Sequence, residues 1–142
     1  MKFWDTSAIV ALCVQEPRSK TVKSILGKDP SLVVWWATRT ECISALVRQT
    51  RQGDLSVAGE RQARQVLETL ANTWIELQPT DSLRGTAERL LAVHPLRAAD
   101  AFQLAAALQG CRGQPKDMVL VSFDVRLRDA AYREGFSLLP AE

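Results

Sequence analysis

Short apolar runs alternate with helical hydrophobic patterns along the chain, and this alternation restricts the possible folds more than any other feature. Residues 32–36 (LVVWW) and 118–123 (MVLVSF) are rich in β-branched and aromatic side chains, and their length favours buried strands. Helical patterns stand between such runs, as in residues 38–52 and 57–71. Strands separated by helices form right-handed crossovers. The sequence therefore predicts an α/β fold with a central, mostly parallel sheet and helices on both faces.

The same criteria predict about five short strands within one domain that covers residues 1–142. Pro79 closes the run at residues 74–77, which favours a position near a sheet edge. The predicted strands are residues 3–4, 32–36, 74–77, 118–123 and 136–139. The predicted helices are residues 7–14, 17–28, 38–52, 57–71, 82–93, 96–108 and 125–134.

Composition excludes several classes of protein. Hydrophobic residues make up 46% of the chain and charged residues 24%, which argues against disorder. The chain has one histidine, His94, and this excludes sites that need two histidines. Because Pro95 follows it, His94 is expected to end a helix. The three cysteines form no CxxC pair, so they are expected to be reduced core residues. Without a signal peptide or a membrane-length apolar run, we expect a cytoplasmic protein with no membrane partner.

Four acidic residues stand out from those that lie on polar helix faces or in turns. Asp100 occurs in a helix that is apolar nearly all round, where an ionised carboxylate is costly unless another charge compensates it. An ion pair with Arg97 is the structural alternative. Asp5 and Asp124 each follow a predicted strand and precede a helix, so either one could be a helix cap or a site residue. Glu41 lies in the first turn of a predicted helix, where an acid is favourable in any case.

Taken together, these acids predict a metal site. Asp5, Glu41 and Asp124 follow the carboxyl ends of three different strands, which share one edge of a parallel sheet, and Asp100 begins a helix that can reach the same edge. Neighbouring carboxylates repel one another in a cleft and stay ionised only around a cation. Oxygen ligands without histidine or cysteine favour Mg²⁺, with Mn²⁺ as a substitute.

Several segments in order along the chain resemble the PIN domain, and more narrowly the VapC-type toxins of bacterial toxin–antitoxin pairs. They extend from residue 3 to residue 136, and together they contain all four acids. The matching segments are FWDTSA (3–8), TEC (40–42), LRAADA (96–101) with LA (104–105), VSFD (121–124) with RL (126–127), and AAYREGF (130–136). Val125 departs from the pattern, because a basic residue is frequent at this position in the family.

The resemblance implies a Mg²⁺-dependent endoribonuclease in which metal-activated water hydrolyses RNA and leaves 5′-phosphate and 3′-hydroxyl ends. It identifies Asp5, Glu41, Asp100 and Asp124 as the catalytic acids. Asp5 and Asp100 are expected to be direct metal ligands, and Asp124 completes the metal site directly or through water. The supporting residues that the resemblance implies are Thr6, Ser7 and Arg97, whose guanidinium either pairs with Asp100 or contacts phosphate.

The resemblance also implies partners: an RNA substrate, a cognate antitoxin that covers the acidic cleft, and a second copy of the chain in a homodimer. Candidate RNA contacts are Arg39, Arg48, Lys116, Arg126 and Arg128. One alternative is a PIN-like module that binds RNA or protein without cutting. Another is a phosphatase of the haloacid dehalogenase type, but that family needs a second acid two positions after its first, where this chain has Ser7.

Overall fold

A five-stranded parallel sheet forms the centre of the fold in this computed structural model, which describes residues 1–141. The strand order is β3-β2-β1-β4-β5, and each neighbouring pair is parallel, so the predicted α/β class is confirmed. The third strand lies at one edge, as its closing proline predicts. The strands are β1 (Lys2–Trp4), β2 (Val33–Trp35), β3 (Ile75–Leu77), β4 (Val119–Val121) and β5 (Ser137–Leu139).

Helices connect the strands, and their bounds agree closely with the sequence pattern. They are α1 (Thr6–Cys13), α2 (Ser19–Lys28), α3 (Thr38–Arg51), α4 (Val57–Ala71), α5 (Asp81–Val93), α6 (Ala98–Gly110) and α7 (Val125–Glu134). A short 3₁₀ helix at Pro115–Asp117, which the sequence analysis did not predict, precedes β4. Within residues 1–141, every helix is too short or too polar to cross a membrane.

The helices cover both faces of the sheet because successive strand residues point to opposite sides. Phe3 of β1 contributes to one core, which α5, α6 and α7 complete. The next residue, Trp4, contributes to the other core, formed with α1, α2, α3 and α4. The two cores therefore share the sheet, and the prediction of helices on both faces is confirmed.

The largest difference from the predicted elements is at α6, which begins and ends two residues later than expected. His94 ends α5 in an extended conformation, as the following Pro95 requires. Leu96 then bonds through its N–H to the His94 carbonyl (2.9 Å) rather than starting a helix. Helix α6 begins only at Ala98, and this places Asp100 in its first turn.

The histidine and the cysteines lie in ordinary structural positions. The His94 ring is buried and its Nε2 is 2.7 Å from Glu134 Oε2. Cys13 and Cys42 are buried core residues, and Cys111 is partly exposed; all three are free thiols.

Candidate functional site

The four acids that the sequence singles out line one cleft of about 330 Å³ at the carboxyl edge of the sheet. Each comes from a different part of the chain. Asp5 follows β1, Glu41 lies in the first turn of α3, Asp100 lies in the first turn of α6, and Asp124 follows β4. Parallel strands end at the same edge, which is why residues so distant in sequence meet here.

Asp5 is the most tightly held of the four. It caps α1, and its Oδ1 accepts hydrogen bonds from the Ala8 N–H (3.1 Å) and the Ser7 hydroxyl (2.7 Å). Its Oδ2 accepts a third hydrogen bond from the Ser122 hydroxyl (2.7 Å). The carboxylate is therefore both a helix cap and a member of the acidic cleft, so the two roles considered for it coincide.

Burial raises the pKa of Asp5 to about 6, although the three hydrogen bonds oppose this effect. The Asp124 carboxylate adds a smaller contribution in the same direction. Asp5 is only 4% exposed, so water screens its charge poorly. Near neutral pH, this site holds a carboxylate that a cation would stabilise.

Asp100 is half-buried rather than enclosed, because the first turn of α6 lines the cleft, whereas residues 101–108 are buried except for the partly exposed Phe102. Its pKa is raised, first by burial and then by the carboxylates of Asp124 and Glu41. Among residues 1–141, Arg97 forms no ion pair with Asp100 within 4.0 Å. The two side chains therefore form no direct ion pair, although the backbone N–H and the charge of Arg97 partly oppose the rise in the pKa of Asp100.

A buried amide holds Glu41 in place. Gln103, 2% exposed, lies one turn after Asp100 in α6, and its Nε2 is 3.1 Å from Glu41 Oε1. The same nitrogen is 3.0 Å from the Thr6 hydroxyl and 3.1 Å from the Thr38 hydroxyl. Thr6 in turn donates a hydrogen bond to Glu41 Oε1 (2.6 Å). This network joins α1, α3 and α6 beneath the cleft.

Two serine hydroxyls connect the loops that carry Asp5 and Asp124. Ser7 accepts a hydrogen bond from the Phe123 N–H (2.9 Å), and Ser122 accepts one from the Asp124 N–H (3.0 Å). Asp124 caps α7 through its Oδ1, which accepts from the Leu127 N–H (2.9 Å). As with Asp5, capping and membership of the cleft coincide in one residue.

Comparison with known proteins agrees with this geometry. The PIN domain model matches residues 2–132. The chain belongs to the PIN domain family. Comparison with curated proteins finds no match.

Solved structures share the fold over nearly the whole chain. VapC20 of Mycobacterium tuberculosis, described as a sarcin–ricin loop cleaving toxin, is 21% identical, with a TM-score of 0.69 and 96% of each chain covered. FitAcB of Neisseria gonorrhoeae is 15% identical, with a TM-score of 0.67, covering 97% of this chain and 96% of its own. VapBC2 of Rickettsia felis, bound to a promoter DNA fragment, is 10% identical, with a TM-score of 0.66 and 96% of each chain covered.

The donor atoms of this PIN domain suit a hard divalent cation, since the acids present only oxygen, and burial together with neighbouring carboxylates raises the pKa of Asp5 and of Asp100. Within residues 1–141, however, no three acidic, histidine or cysteine side chains are close enough to hold an ion as they stand. The charge and the ligand atoms of the site thus suit a cation, but its side chains are not already arranged to coordinate one.

The basic residues proposed from sequence separate into different groups. Arg48 lines the acidic cleft, and Arg126 lines an adjoining cleft that Asp100 and Asp124 share. Arg39 is exposed in the first turn of α3. Arg128 is held by the carbonyls of Ser122 (2.8 Å) and Pro140 (2.9 Å), which gives it a structural role. Lys116 precedes β4 and therefore lies towards the edge of the sheet opposite the acids.

Six polar residues of the cleft region were not predicted: Glu16, Arg18, Gln49 and Gln103 line the cleft, and Thr38 and Ser122 bind side chains that line it. A sequence signal exists for two of them. Gln103 is the polar residue one helical turn after Asp100 in an otherwise apolar segment, and Ser122 directly follows a strand. Arg18 and Thr38 have no such signal, because only the packing of α1, α2 and α3 brings them to the cleft.

Proposed function

We propose that this PIN domain is a Mg²⁺-dependent endoribonuclease and the toxin of a toxin–antitoxin pair. The observation that supports it most strongly is the meeting of Asp5, Glu41, Asp100 and Asp124 in one cleft. No purely structural role requires four carboxylates from four parts of the chain to share a cleft, because their mutual repulsion opposes folding.

Asp5 and Asp100 would hold Mg²⁺ directly, with Asp124 directly or through water, and Mn²⁺ is the natural substitute. When bound, the cation supplies a nucleophile at neutral pH and offsets charge on the phosphoryl oxygens. Ser7, Ser122 and the Ala8 N–H fix the orientation of Asp5. Within residues 1–141, Asp5 Oδ2 accepts only the hydrogen bond from Ser122, which leaves it a lone pair for a cation.

Glu41 completes the site from the first turn of α3. Thr6 and Gln103 both bind its Oε1, so they restrict the carboxylate to one orientation. Glu41 is then placed to accept a proton from water in the cleft, in the general-base role that a fixed carboxylate can perform. Thr6 thereby acts as a positioning residue for Glu41, and Ser7 does so for Asp5.

The fold neighbours support the biological role. VapC20 is a toxin that cleaves the sarcin–ricin loop, and VapBC2 is bound to a fragment of promoter DNA. By analogy, we expect an antitoxin to cover the acidic cleft of this chain and a second copy to form a homodimer. The RNA that this chain cleaves is to be identified from the RNA ends that appear when it is expressed in cells.

Asp100→Asn tests the catalytic assignment. We expect the wild-type chain to cleave RNA with Mg²⁺ and not with EDTA, and Asp100→Asn to lose cleavage while its stability stays equal or rises, because a repelled charge is removed. Cleavage of mixed structured RNAs and thermal unfolding are the two measurements. The matched control is Asp54→Asn, an exposed turn residue, which should leave both unchanged.

Other outcomes separate the alternatives. Wild-type turnover in Asp100→Asn would show that its assigned role is wrong. Unfolding of Asp100→Asn, with Asp54→Asn intact, would indicate a structural role for Asp100. RNA binding without Mg²⁺-dependent cleavage would favour the non-catalytic binding module.

A further inference from the structure

Asp100 and Asp124 line two adjoining clefts, and the boundary that these two acids form between the clefts is called the ridge below. The first is the acidic cleft described above, of about 330 Å³. The second, of about 320 Å³, is lined by the same two acids together with three residues from the starts of α6 and α7. Those three residues are Arg97, Val125 and Arg126.

Each of the two clefts is lined by two arginines. Arg18 and Arg48 line the acidic cleft, and Arg97 and Arg126 line the second. All four side chains belong to exposed residues. Within residues 1–141, none of the four forms an ion pair with an acid of the cleft, so their donors are available to a ligand.

Arg18 is also restrained. Its guanidinium lies 4.7 Å from the centre of the Phe123 ring, a cation–π contact that limits the side chain to one side of the cleft. Phe123 is fixed in turn by the hydrogen bond from its N–H to Ser7. The hydroxyl that orients Asp5 therefore also anchors the loop on which Arg18 rests.

Charge assigns a role to these pairs. The carboxylates of Asp100 and Asp124 repel RNA phosphates unless a cation neutralises the charge. The phosphates on either side of the cleaved bond therefore need positively charged side chains near the acidic residues. Guanidinium groups bind phosphate oxygens through two parallel hydrogen bonds. Clefts of about 320 and 330 Å³ are at the small end of the range for ligand pockets, which suits the individual nucleotides of one unpaired strand.

We propose that a single, unpaired RNA strand crosses the ridge, with Arg18 and Arg48 binding phosphate on one side of the cleaved bond and Arg97 and Arg126 binding phosphate on the other. This inference rests on the proposed function for the identity of the strand, and it adds the path and two phosphate-binding subsites. Arg97 thereby contacts phosphate rather than Asp100.

RNA binding tests the path without requiring cleavage. In an Asp100→Asn background in EDTA, Arg18→Gln and Arg97→Gln should each weaken binding of an unpaired oligoribonucleotide about threefold to fivefold. Each should also reduce the slope of log Kd against log salt concentration by about 0.7. Arg61→Gln, an exposed arginine of α4 that lines neither cleft, is the control of equal charge and should change neither quantity.

Shortened oligonucleotides test the two sides separately. Removing nucleotides from one end of the RNA should abolish the effect of Arg18→Gln, and removing them from the other end should abolish that of Arg97→Gln. Phe123→Leu should weaken binding in the presence of Arg18 and have no further effect in Arg18→Gln. Effects equal to those of Arg61→Gln, or sensitivity of both variants to the same end, would overturn the proposed path.

The two proposals fail in different ways. If the wild-type chain cleaves RNA while the arginine variants match Arg61→Gln, the path is wrong and the nuclease assignment stands. If the arginine variants lose binding as expected but the wild-type chain does not cleave, the path stands and the chemistry is wrong.

Discussion

At the scale of single residues, the ionised carboxylate of Asp5 destabilises the native state at neutral pH. Its pKa is about 6 in the folded chain, above the ordinary value, because burial disfavours the ionised form. Between about pH 4 and pH 6 the native state therefore binds more protons at Asp5 than the unfolded state does. This residue's contribution to stability falls as the pH rises through that window, and the full cost of about 3 kcal/mol remains above it.

Asp5→Asn should remove this cost. We expect the variant to gain stability over the wild type at pH 7, by up to about 3 kcal/mol, and the gain to disappear towards pH 4. Urea unfolding at several pH values measures it, with Asp54→Asn as the control. A difference between the variant and the wild type that does not change with pH would mean that Asp5 is not perturbed. The variant should also lose RNA cleavage.

Val125 offers a gain of function. It is 78% exposed and lines the cleft that contains Arg97 and Arg126. Val125→Arg should tighten RNA binding and steepen its salt dependence by about 0.7 in log–log slope. Binding titrations at several salt concentrations measure both effects. Val57→Arg, at an exposed position at the start of α4 (68%), is the control, and an equal effect there would point to non-specific attraction.

At the scale of elements, α6 serves two purposes. Its apolar length fills the core between the sheet and α5, and its first turns deliver Asp100 and Gln103 to the cleft. The Nε2 of this buried amide finds partners on both α1 and α3, whereas within residues 1–141 its Oε1 has no hydrogen-bond partner. The helix thus links packing and site geometry.

Gln103→Ala should separate these purposes. It removes the hydrogen bonds to Glu41, Thr6 and Thr38, and we expect a loss of about 1–3 kcal/mol in unfolding free energy. Cleavage should fall less than in Asp100→Asn, because Thr6 still holds Glu41. Gln109→Ala, on the exposed side of the same helix, is the control for urea unfolding and turnover. Unchanged stability would contradict the network.

At the scale of the whole molecule, the two cores share one thin sheet whose strands have three residues each. Neither set of helices can bury its apolar face without that sheet. We therefore expect the chain to unfold in one cooperative transition. Circular dichroism and tryptophan fluorescence should give one midpoint in urea, since Trp35 reports on one core and Trp4 on the other. Separate midpoints would contradict the single domain.

Much of the fold follows from local sequence. The bounds of α4 and α7 agree with the predicted 57–71 and 125–134, because Ser56 and Asp124 cap them and Gly135 ends α7 in a left-handed conformation. The last four strands are shorter than their predicted runs and β1 is one residue longer, since pairing in the sheet and not hydrophobicity sets their length. The start of α6 was misplaced because the effect of Pro95 extends beyond the next residue.

The sequence by itself determined the order of elements, the parallel sheet and the four acids, because periodicity, caps and a charge in an apolar helix are local signals. Only the tertiary structure decided which polar groups surround those acids. Arg18 and Thr38 reach the cleft through packing between distant elements, while Arg128 turns away to bind two carbonyls. The direction of an exposed arginine depends on contacts across the fold, which its neighbours in sequence do not specify.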